Sequence, residues 1–274
     1  MSQSLDSSNV EIIVVDDCSP TDRMSELSAS FPEVRFVRHS SNRGPGAARN
    51  TGISQANGRY LAFIDSDAVA PIHWLRNYKR VFEAGAVAAC GSVYHQKDFL
   101  SKMTAITAFG AHLKQRHGPR TSFAAANFAI SAETMQRFSF NELVRPAGED
   151  MVLSRQIVNA GVEILYNAKA WVMHKPTMTP KDFFRRAYQY GRGFRIARIH
   201  EPSLTGSGFH RYAKGASGFL LLPARVLIDL TRAFEFREAV NIRWWEFPAA
   251  FGLILLTRIV WAAGVTSSYF HHEE

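Results

Sequence analysis

Asp65 and Asp67 are the residues in this sequence best placed to do chemistry. They follow the apolar run 59–64, which has the length and composition of a buried strand. Residues two apart on an extended chain project to the same face, so both carboxylates can converge on one point. Hard oxygen ligands of this kind suit Mg²⁺ or Mn²⁺ bound together with phosphates. Aspartates at strand ends also form turns and cap helices, and the pair alone does not separate these interpretations.

Two further acidic pairs stand where regular patterns begin or end. Asp16 and Asp17 follow the apolar run 10–15, and only one of them can face inward from a strand. Glu149 and Asp150 begin a segment with helical periodicity, where neighbours point about 100° apart. Each pair therefore offers one side chain to a site, while capping or stabilising a helix N-terminus is the alternative interpretation.

The elements that must position these residues alternate along the chain. Apolar runs predict strands at residues 10–15, 34–37, 59–64, 87–95, 123–130 and 171–174. Periodicity and turn residues predict helices at 22–30, 44–56, 71–84 and 148–160. The initial β-α-β-α-β order implies a parallel sheet with helices on both faces, in which ligands bind beyond the carboxyl ends of the strands. Residues 96–120 contain Lys, His and Arg and are predicted to be an exposed connection.

Composition and charge exclude several classes of protein. The 274 residues are 46% hydrophobic and 20% charged, as in globular domains, and the two cysteines, Cys18 and Cys90, cannot make a disulfide scaffold. The first residues show no secretory signal, so we expect a cytoplasmic location. The net charge of +8 is concentrated in residues 175–274, which hold 14 Lys and Arg against 8 Asp and Glu. Because these charges alternate with apolar stretches, they favour an anionic membrane surface over nucleic acid as the partner.

The chain changes character at Thr179. An aromatic and arginine-rich helix, FFRRAYQYGRGFR, is followed by apolar stretches at 219–230 and 247–265. The first is too short to span a bilayer, and the second has Arg258 near its middle, which favours interfacial or re-entrant helices. We therefore expect a catalytic α/β domain over residues 1–178 and a basic, apolar, membrane-associating helical region over 179–274.

Five motifs in order resemble those of the family 2 glycosyltransferases. They are IIVVDDCSPTD, NRGPGAARNTGI, the Asp65-Ser66-Asp67 triplet, GEDMVLSRQI and WVMHK, and the similarity covers roughly residues 10–195. The resemblance implies a glycosyltransferase A-type fold, which is a Rossmann-like α/β sheet with flanking helices, here followed by C-terminal apolar and basic helices. It also implies an enzyme that uses a nucleotide sugar and inverts the anomeric configuration.

The resemblance assigns donor-side roles to five positions. Asp17 would hydrogen-bond the nucleobase, most often uracil, and Asn42 and Arg49 would lie beside the nucleotide. Asp65 would lie near the ribose or metal, and Asp67 would ligate an Mg²⁺ or Mn²⁺ ion that stabilises the departing diphosphate. The implied donor is a nucleoside diphosphate sugar, with a UDP-sugar favoured. For Arg49, an ion pair at the edge of the core is an equally good interpretation.

The remaining motif positions belong to the acceptor side and the metal shell. By resemblance Asp150 is the general base that takes the proton of the acceptor hydroxyl. Glu149 lies beside it, or serves only to stabilise the helix N-terminus. His174 completes the metal shell or is a buried structural histidine, and Asn127 lines the acceptor side or satisfies a buried turn.

Two departures from the family pattern bear on function. The sequence RRAYQYGRG stands where processive synthases carry Gln-x-x-Arg-Trp, which argues against a polymerase. Relatives usually begin with a further strand and helix, whereas nine residues precede Val10 here. We therefore expect the first strand-helix unit to be absent, with an unpaired edge beside strand 10–15 and an incomplete nucleotide pocket.

The sequence thus predicts inverting transfer of a sugar to an acceptor hydroxyl in surface glycan or glycolipid synthesis. The reaction would take place at the cytoplasmic face of the cell membrane, with a glycan or lipid-linked acceptor and no nucleic acid. Two alternatives remain open: a non-catalytic, membrane-tethered nucleotide-binding protein, and a nucleotidyltransferase on a related fold.

Overall fold

A computed structural model describes residues 9–21, 23–113, 118–175, 178–204 and 218–268. Asp22, the first residue of the first predicted helix, and most of the Ser/Gly-rich stretch from 204 to 218 lie outside these ranges. The strands are β1 (Ile12–Asp16), β2 (Val34–Arg38), β3 (Tyr60–Ile64), β4 (Ala68–Val69), β5 (Ala88–His95), β6 (Gly118–Arg120), β7 (Asn127–Ser131) and β8 (Ile164–His174). The helices are α1 (Met24–Ser30), α2 (Pro45–Gln55), α3 (Trp74–Glu83), α4 (Phe99–Thr107), α5 (Ala132–Met135), α6 (Glu149–Asn159), α7 (Pro180–His200), α8 (Leu222–Glu235) and α9 (Phe247–Ser267).

The described strands form two sheets, a parallel pair and a larger sheet of mixed direction. β1 and β2 pair in parallel, and a six-stranded sheet has the order β3-β7-β5-β8-β4 with β6 also on β8. Within that sheet only β5 and β8 are parallel, so the prediction of a parallel sheet throughout is wrong. Short apolar runs indicate strands but carry no information on direction. Among the described strands, β1 pairs only with β2, and β3 only with β7.

Helices cover both faces of the larger sheet, as predicted. On one face α3 presents Trp74, Tyr78 and Phe82, which are four residues apart and therefore lie on one side of the helix. On the other face α6 presents Leu153 and Ile157 to a second apolar cluster. The sheet is thus buried on both sides, and its functional groups must lie at the strand ends.

Helix α4 corrects the prediction of an exposed connection over residues 96–120. Asp98 caps this helix by accepting a hydrogen bond from the Ser101 amide, and most of the helix is buried. Lys102 is buried because its ammonium group donates to both carboxylate oxygens of Glu246, at 2.9 Å each. A charged side chain in this segment therefore marked a buried ion pair and not a solvated surface.

Helices α7 and α9 cross at very close range. A Cβ atom on Gly191 would lie 2.0 Å from the carbonyl oxygen of Trp261, and one on Gly264 would lie 2.1 Å from that of Tyr188. Helices α4, α8 and α9 share one apolar cluster beside this crossing. Among the described residues one helical stretch, Trp244–Ser267, is long and apolar enough to cross a membrane, with a mean hydropathy of 1.7.

Candidate active site

Asp65, Asp67 and His174 meet at one end of the six-stranded sheet. β3 ends at Ile64 and the chain turns at once, with the Ala68 amide donating to the Asp65 carbonyl at 3.0 Å. The two-residue strand β4 then pairs with the end of β8, which sets Ala68 opposite His174. This short ladder holds His174 Nε2 3.0 Å from Asp67 Oδ1. One ligand atom from each of the three side chains lies within 4.8 Å of the others.

These three side chains form a donor set suited to a hard divalent cation. Two carboxylates and one imidazole on a small, partly open site fit Mg²⁺ or Mn²⁺. Burial alone would raise the pKa of Asp67. The hydrogen bond from His174 and the charges of His174 and Arg186 outweigh burial and hold that pKa below its ordinary value. Asp67 is therefore ionised at neutral pH, as a metal ligand must be.

Arg49, on α2, connects this cluster to the beginning of α6. Its Nη2 donates to Asp65 Oδ1 at 2.9 Å, and its Nη1 donates to Glu149 Oε1. Burial would lower the pKa of Arg49, but the charges of Glu149 and Asp65 outweigh it and raise the pKa. The structure thus shows the ion-pair arrangement, and a direct contact of Arg49 with nucleotide stays a prediction.

The beginning of α6 is held in place by close packing against α7. Gly148 precedes the helix with a φ of 102°, in the left-handed region that glycine adopts most readily. A Cβ atom on Gly193 of α7 would lie 2.0 Å from the Ala147 carbonyl oxygen. Glycines on both sides of the contact therefore let α7 fix the position of the acidic pair that follows.

Asp150 is the second residue of α6, and its environment differs from that of Asp67. Its Oδ2 accepts a long hydrogen bond of 3.4 Å from the Ala125 amide. Burial, and then the charge of Glu149, raise the pKa of Asp150 to about 7, although Arg49 acts in the opposite direction. A carboxyl group with a pKa near neutrality is suited to take up a proton at neutral pH.

Asp17 and Asn42 lie in a separate network at the end of β1. Asp17 Oδ1 accepts hydrogen bonds from His39 Nδ1 at 2.7 Å and the Arg43 amide at 2.9 Å, and Oδ2 accepts one from the Gly44 amide at 2.6 Å. Asn42 Nδ2 donates to the Asp17 carbonyl at 3.1 Å. Burial of Asp17 would raise its pKa, but these donors keep the pKa below its ordinary value. A role of Asp17 in nucleobase binding stays a prediction, since three donors of the chain already occupy its carboxylate.

Asn127, the first residue of β7, is buried in the core. Its Oδ1 accepts from Trp74 Nε1 at 2.9 Å and Tyr78 Oη at 2.7 Å, and its Nδ2 donates to the carbonyls of Ser92 and Ala170. The structure does not bring Asn127 to the acidic cluster. Its amide instead satisfies buried groups, and an acceptor-side role stays a prediction.

Two residues of α7 join the site although the sequence analysis assigned this helix to the membrane. Arg186 Nη2 lies 3.6 Å from Asp67 Oδ2. Tyr190, one turn further on, is enclosed, and burial raises its pKa to about 12, with the charges of Asp150 and Asp65 acting in the same direction. The spacing of four residues on a predicted helix is the signal that would have linked the two side chains.

The sequence analysis also missed His95, the last residue of β5. It stands opposite His174 in the parallel pairing of β5 with β8, and the two ring centroids are 5.3 Å apart. Both ring nitrogens of His95 are buried, with no hydrogen-bond partner among the described residues. Burial lowers the pKa of His95 to about 3, so it stays neutral and packs against the histidine of the cluster.

Comparison with known sequences identifies relatives over part of the chain. It is 47% identical over 83 residues to the succinoglycan biosynthesis protein ExoO of Rhizobium meliloti, covering 29% of this chain and 24% of ExoO. It is 26% identical over 208 residues to the pre-mycofactocin glycosyltransferase of Mycobacterium tuberculosis, covering 72% of this chain and 44% of that protein. The chain thus matches less than half the length of these curated relatives.

Solved structures resemble the whole chain at low sequence identity. The mannosyltransferase PcManGT from Pyrobaculum calidifontis, in complex with GDP-Man and Mn²⁺, matches 99% of this chain and 81% of its own, with a TM-score of 0.63 and 16% identity. Residues 1–349 of TarS from S. aureus match 99% of this chain and 85% of their own, with a TM-score of 0.52 and 16% identity. These likenesses establish a glycosyltransferase A-type fold, as predicted.

The family model "Glycosyl transferase family 2" matches residues 2–144, just over half of the chain. That range includes Asp65 and Asp67 and ends before Asp150 and His174, whose assignment therefore depends on their geometry. With the fold and the ordered motifs in agreement, the chain belongs to glycosyl transferase family 2.

Proposed function

We propose that this chain transfers a sugar from a nucleoside diphosphate sugar, with UDP favoured, to an acceptor hydroxyl with inversion of the anomeric configuration. The reaction takes place at the cytoplasmic face of the cell membrane. The acceptor is a glycan or a lipid-linked sugar, and the product belongs to a surface glycan or glycolipid.

The observation that carries this proposal is the contrast between two carboxylates of one site. Asp67 has a lowered pKa and belongs to the metal-ligand cluster, whereas Asp150 has a pKa of about 7. Arg49 bridges the residues beside them, Asp65 and Glu149. Carboxylates whose environments separate their pKa values in this way are suited to different chemical roles.

A divalent cation held by Asp65, Asp67 and His174 would supply Lewis-acid stabilisation of the charge on the diphosphate. Arg186, which lies beside Asp67, adds a positive charge at the same place. Asp150 takes the proton of the acceptor hydroxyl. The hydroxyl oxygen then forms the new bond to the anomeric carbon as the bond from that carbon to the diphosphate breaks, and the nucleoside diphosphate leaves.

The names of relatives support the choice of donor and pathway class. PcManGT was solved with GDP-Man and Mn²⁺, and TarS was solved with UDP. ExoO is named for succinoglycan biosynthesis. These names support the proposal of a nucleoside diphosphate sugar, a divalent cation and a glycan product for this chain.

Calorimetry with UDP and Mn²⁺ separates the two proposed roles. Asp67→Ala should abolish metal-dependent binding of UDP, because it removes one of three protein ligands. Asp150→Asn should keep that binding and lower turnover by about 10²- to 10⁴-fold. An equal loss of UDP binding in both variants would refute the division of roles.

A panel of nucleotide sugars, incubated with purified protein and membranes, tests the reaction itself. Transfer of sugar to an acceptor supports the proposal. Formation of pyrophosphate would identify a nucleotidyltransferase, and binding without turnover would identify a non-catalytic protein.

A further inference from the structure

Helix α8 exposes apolar residues and buries most of its charged ones, the reverse of an ordinary surface helix. Its outward residues are apolar: Leu227 is 66% exposed, Phe234 is 64% exposed, and Ile228 lies beside them. Three of its four charged residues point inward, with Asp229 fully buried and Arg225 and Arg232 partly buried, while Glu235 at its last position is exposed. A soluble protein normally places charges outward and apolar residues inward on such a helix.

Helix α9 shows the same inversion. Its single charged residue, Arg258, is buried and pairs with Asp229 of α8, and it also donates to the Thr107 carbonyl. Its outward face carries Leu256 and Ile259, both exposed, with no charged residue along its length on that side. α8 and α9 pack against each other, and their exposed apolar residues together form an apolar surface.

Tryptophan and arginine residues border this surface in the turn before α9. Trp244 and Trp245 are exposed, and the guanidinium groups of Arg237 and Arg243 lie 4.5 and 4.7 Å from their ring centroids. Trp244 also contacts Phe234 of the apolar surface, with ring centroids 6.0 Å apart. Tryptophan is enriched at the level of lipid headgroups. Arg237 also pairs with Glu238 and Arg243 with Glu246, so this border carries charges of both signs.

We propose that a bilayer containing anionic lipids covers the outward faces of α8 and α9, and that both helices lie in the plane of the membrane. A second copy of the chain is a poorer occupant. A symmetric dimer would place the same patch against itself and bring together two copies of a region, residues 175–274, that holds 14 Lys and Arg against 8 Asp and Glu. A negatively charged lipid surface complements the surplus of positive charge in residues 175–274 instead.

The packing of α7 explains why α9 lies on the bilayer and does not cross it. α7 contacts α9 along its length through Gly191 and Gly264, and it carries six Lys and Arg residues. If α9 spanned the membrane, α7 would have to enter the hydrocarbon, where each such charge costs about 2.5–3.5 kcal/mol on insertion scales. Only the face of α9 opposite α7 is therefore available to lipid.

Vesicle flotation of the full chain tests the surface. We expect it to float with vesicles of phosphatidylcholine and phosphatidylglycerol, and Leu227→Glu to weaken the partitioning by about tenfold or more. Leu143→Glu is the matched control, because Leu143 is 69% exposed on a loop far from α8 in the sequence, and it should float like the unmodified chain. Failure of the unmodified chain to float, or a dimer in light scattering that Leu227→Glu dissociates, would overturn the proposal.

Spin labels test the in-plane orientation. Ala249→Cys and Ala263→Cys, in a chain that also carries Cys18→Ser, place labels on the outward side of α9 about 21 Å apart along its axis. In-plane binding predicts equal and shallow depths for the two labels, about 5–10 Å into the bilayer. Depths that differ by about 21 Å would show a spanning helix and overturn the orientation. The inference rests on the membrane location in the proposed function. Flotation and label depth are both measured without sugar transfer, so a failure of catalysis is distinguishable from a failure of membrane binding.

Discussion

Glu149→Gln tests the electrostatic origin of the raised pKa of Asp150. Burial and the charge of Glu149 bring that pKa to about 7, against an ordinary value of 3.8. The substitution removes the like charge but keeps the size of the side chain, and Arg49 keeps its contact with Asp65. The pKa of Asp150 should therefore fall, and activity should persist to lower pH.

The size of the shift follows from Coulomb's law. Two carboxylates about 6 Å apart repel by roughly 2.8 kcal/mol at an effective dielectric constant of about 20, or about two pKa units. With a pKa of about 7, about a tenth of Asp150 is ionised at pH 6. With a pKa of about 5, about nine tenths would be ionised at the same pH. The variant should thus reach most of its own maximal kcat/KM at pH 6.

The assay is the pH dependence of kcat/KM for sugar transfer, together with a ¹³C NMR titration of the aspartate carboxyls. In the unmodified chain we expect kcat/KM to decline as the pH falls below about 7, where Asp150 takes up its proton. In Glu149→Gln the decline should begin at a lower pH. Glu142→Gln is the control, because Glu142 pairs with Arg43 and Asn50 and does not act on Asp150. The assignment would be refuted if kcat/KM of the unmodified chain declined only near pH 4, or if both variants shifted the decline equally.

Two further substitutions test the helical region. Arg258→Met should lower the free energy of unfolding by about 3–5 kcal/mol, because buried Asp229 loses its short ion pair and keeps the 3.5 Å contact with Arg232. Adding Asp229→Leu should restore most of the loss, and urea denaturation measures both effects. Gly264→Ala should lower the Tm, since its new Cβ atom would lie 2.1 Å from a backbone carbonyl oxygen of α7. Gly252→Ala is the control: it has open space around it, and the higher helix propensity of alanine should raise the free energy of unfolding by about 0.5–1 kcal/mol. Equal melting temperatures for the two alanine variants would show that α7 and α9 do not meet as described.

Most elements around the acidic cluster were predictable because their residues have strong local patterns. The apolar run that ends at Ile64 is β3, and the Gly-Pro-Gly segment does open α2, with Gly44 as its N-cap. The cluster itself depends on β4, whose two residues are too few to give a pattern, so only the resemblance pointed to His174. Motif order thus indicated the members of the site, while long-range pairing determined their geometry.

The errors have physical reasons as well. Strand direction was not predictable from short apolar runs, and buried charges such as Lys102 looked like surface residues because their partners are far along the chain. The same is true of Arg258, which interrupts an apolar stretch in the sequence but pairs with Asp229 in the structure. Ion pairs between distant segments are therefore the feature that local patterns conceal.

If α8 and α9 lie on a bilayer as proposed, helix α7 holds the acidic cluster at a fixed distance from the lipid. One of its sides places Arg186 beside Asp67, and another packs against α9 through Gly191. Packed helices lie about 8–10 Å apart, so with α9 on the bilayer the acidic cluster stands roughly two helix layers, about 20 Å, above the headgroups. A fixed distance of this kind would favour an acceptor that carries its hydroxyl about 20 Å from the headgroups over one whose hydroxyl lies at the headgroups themselves.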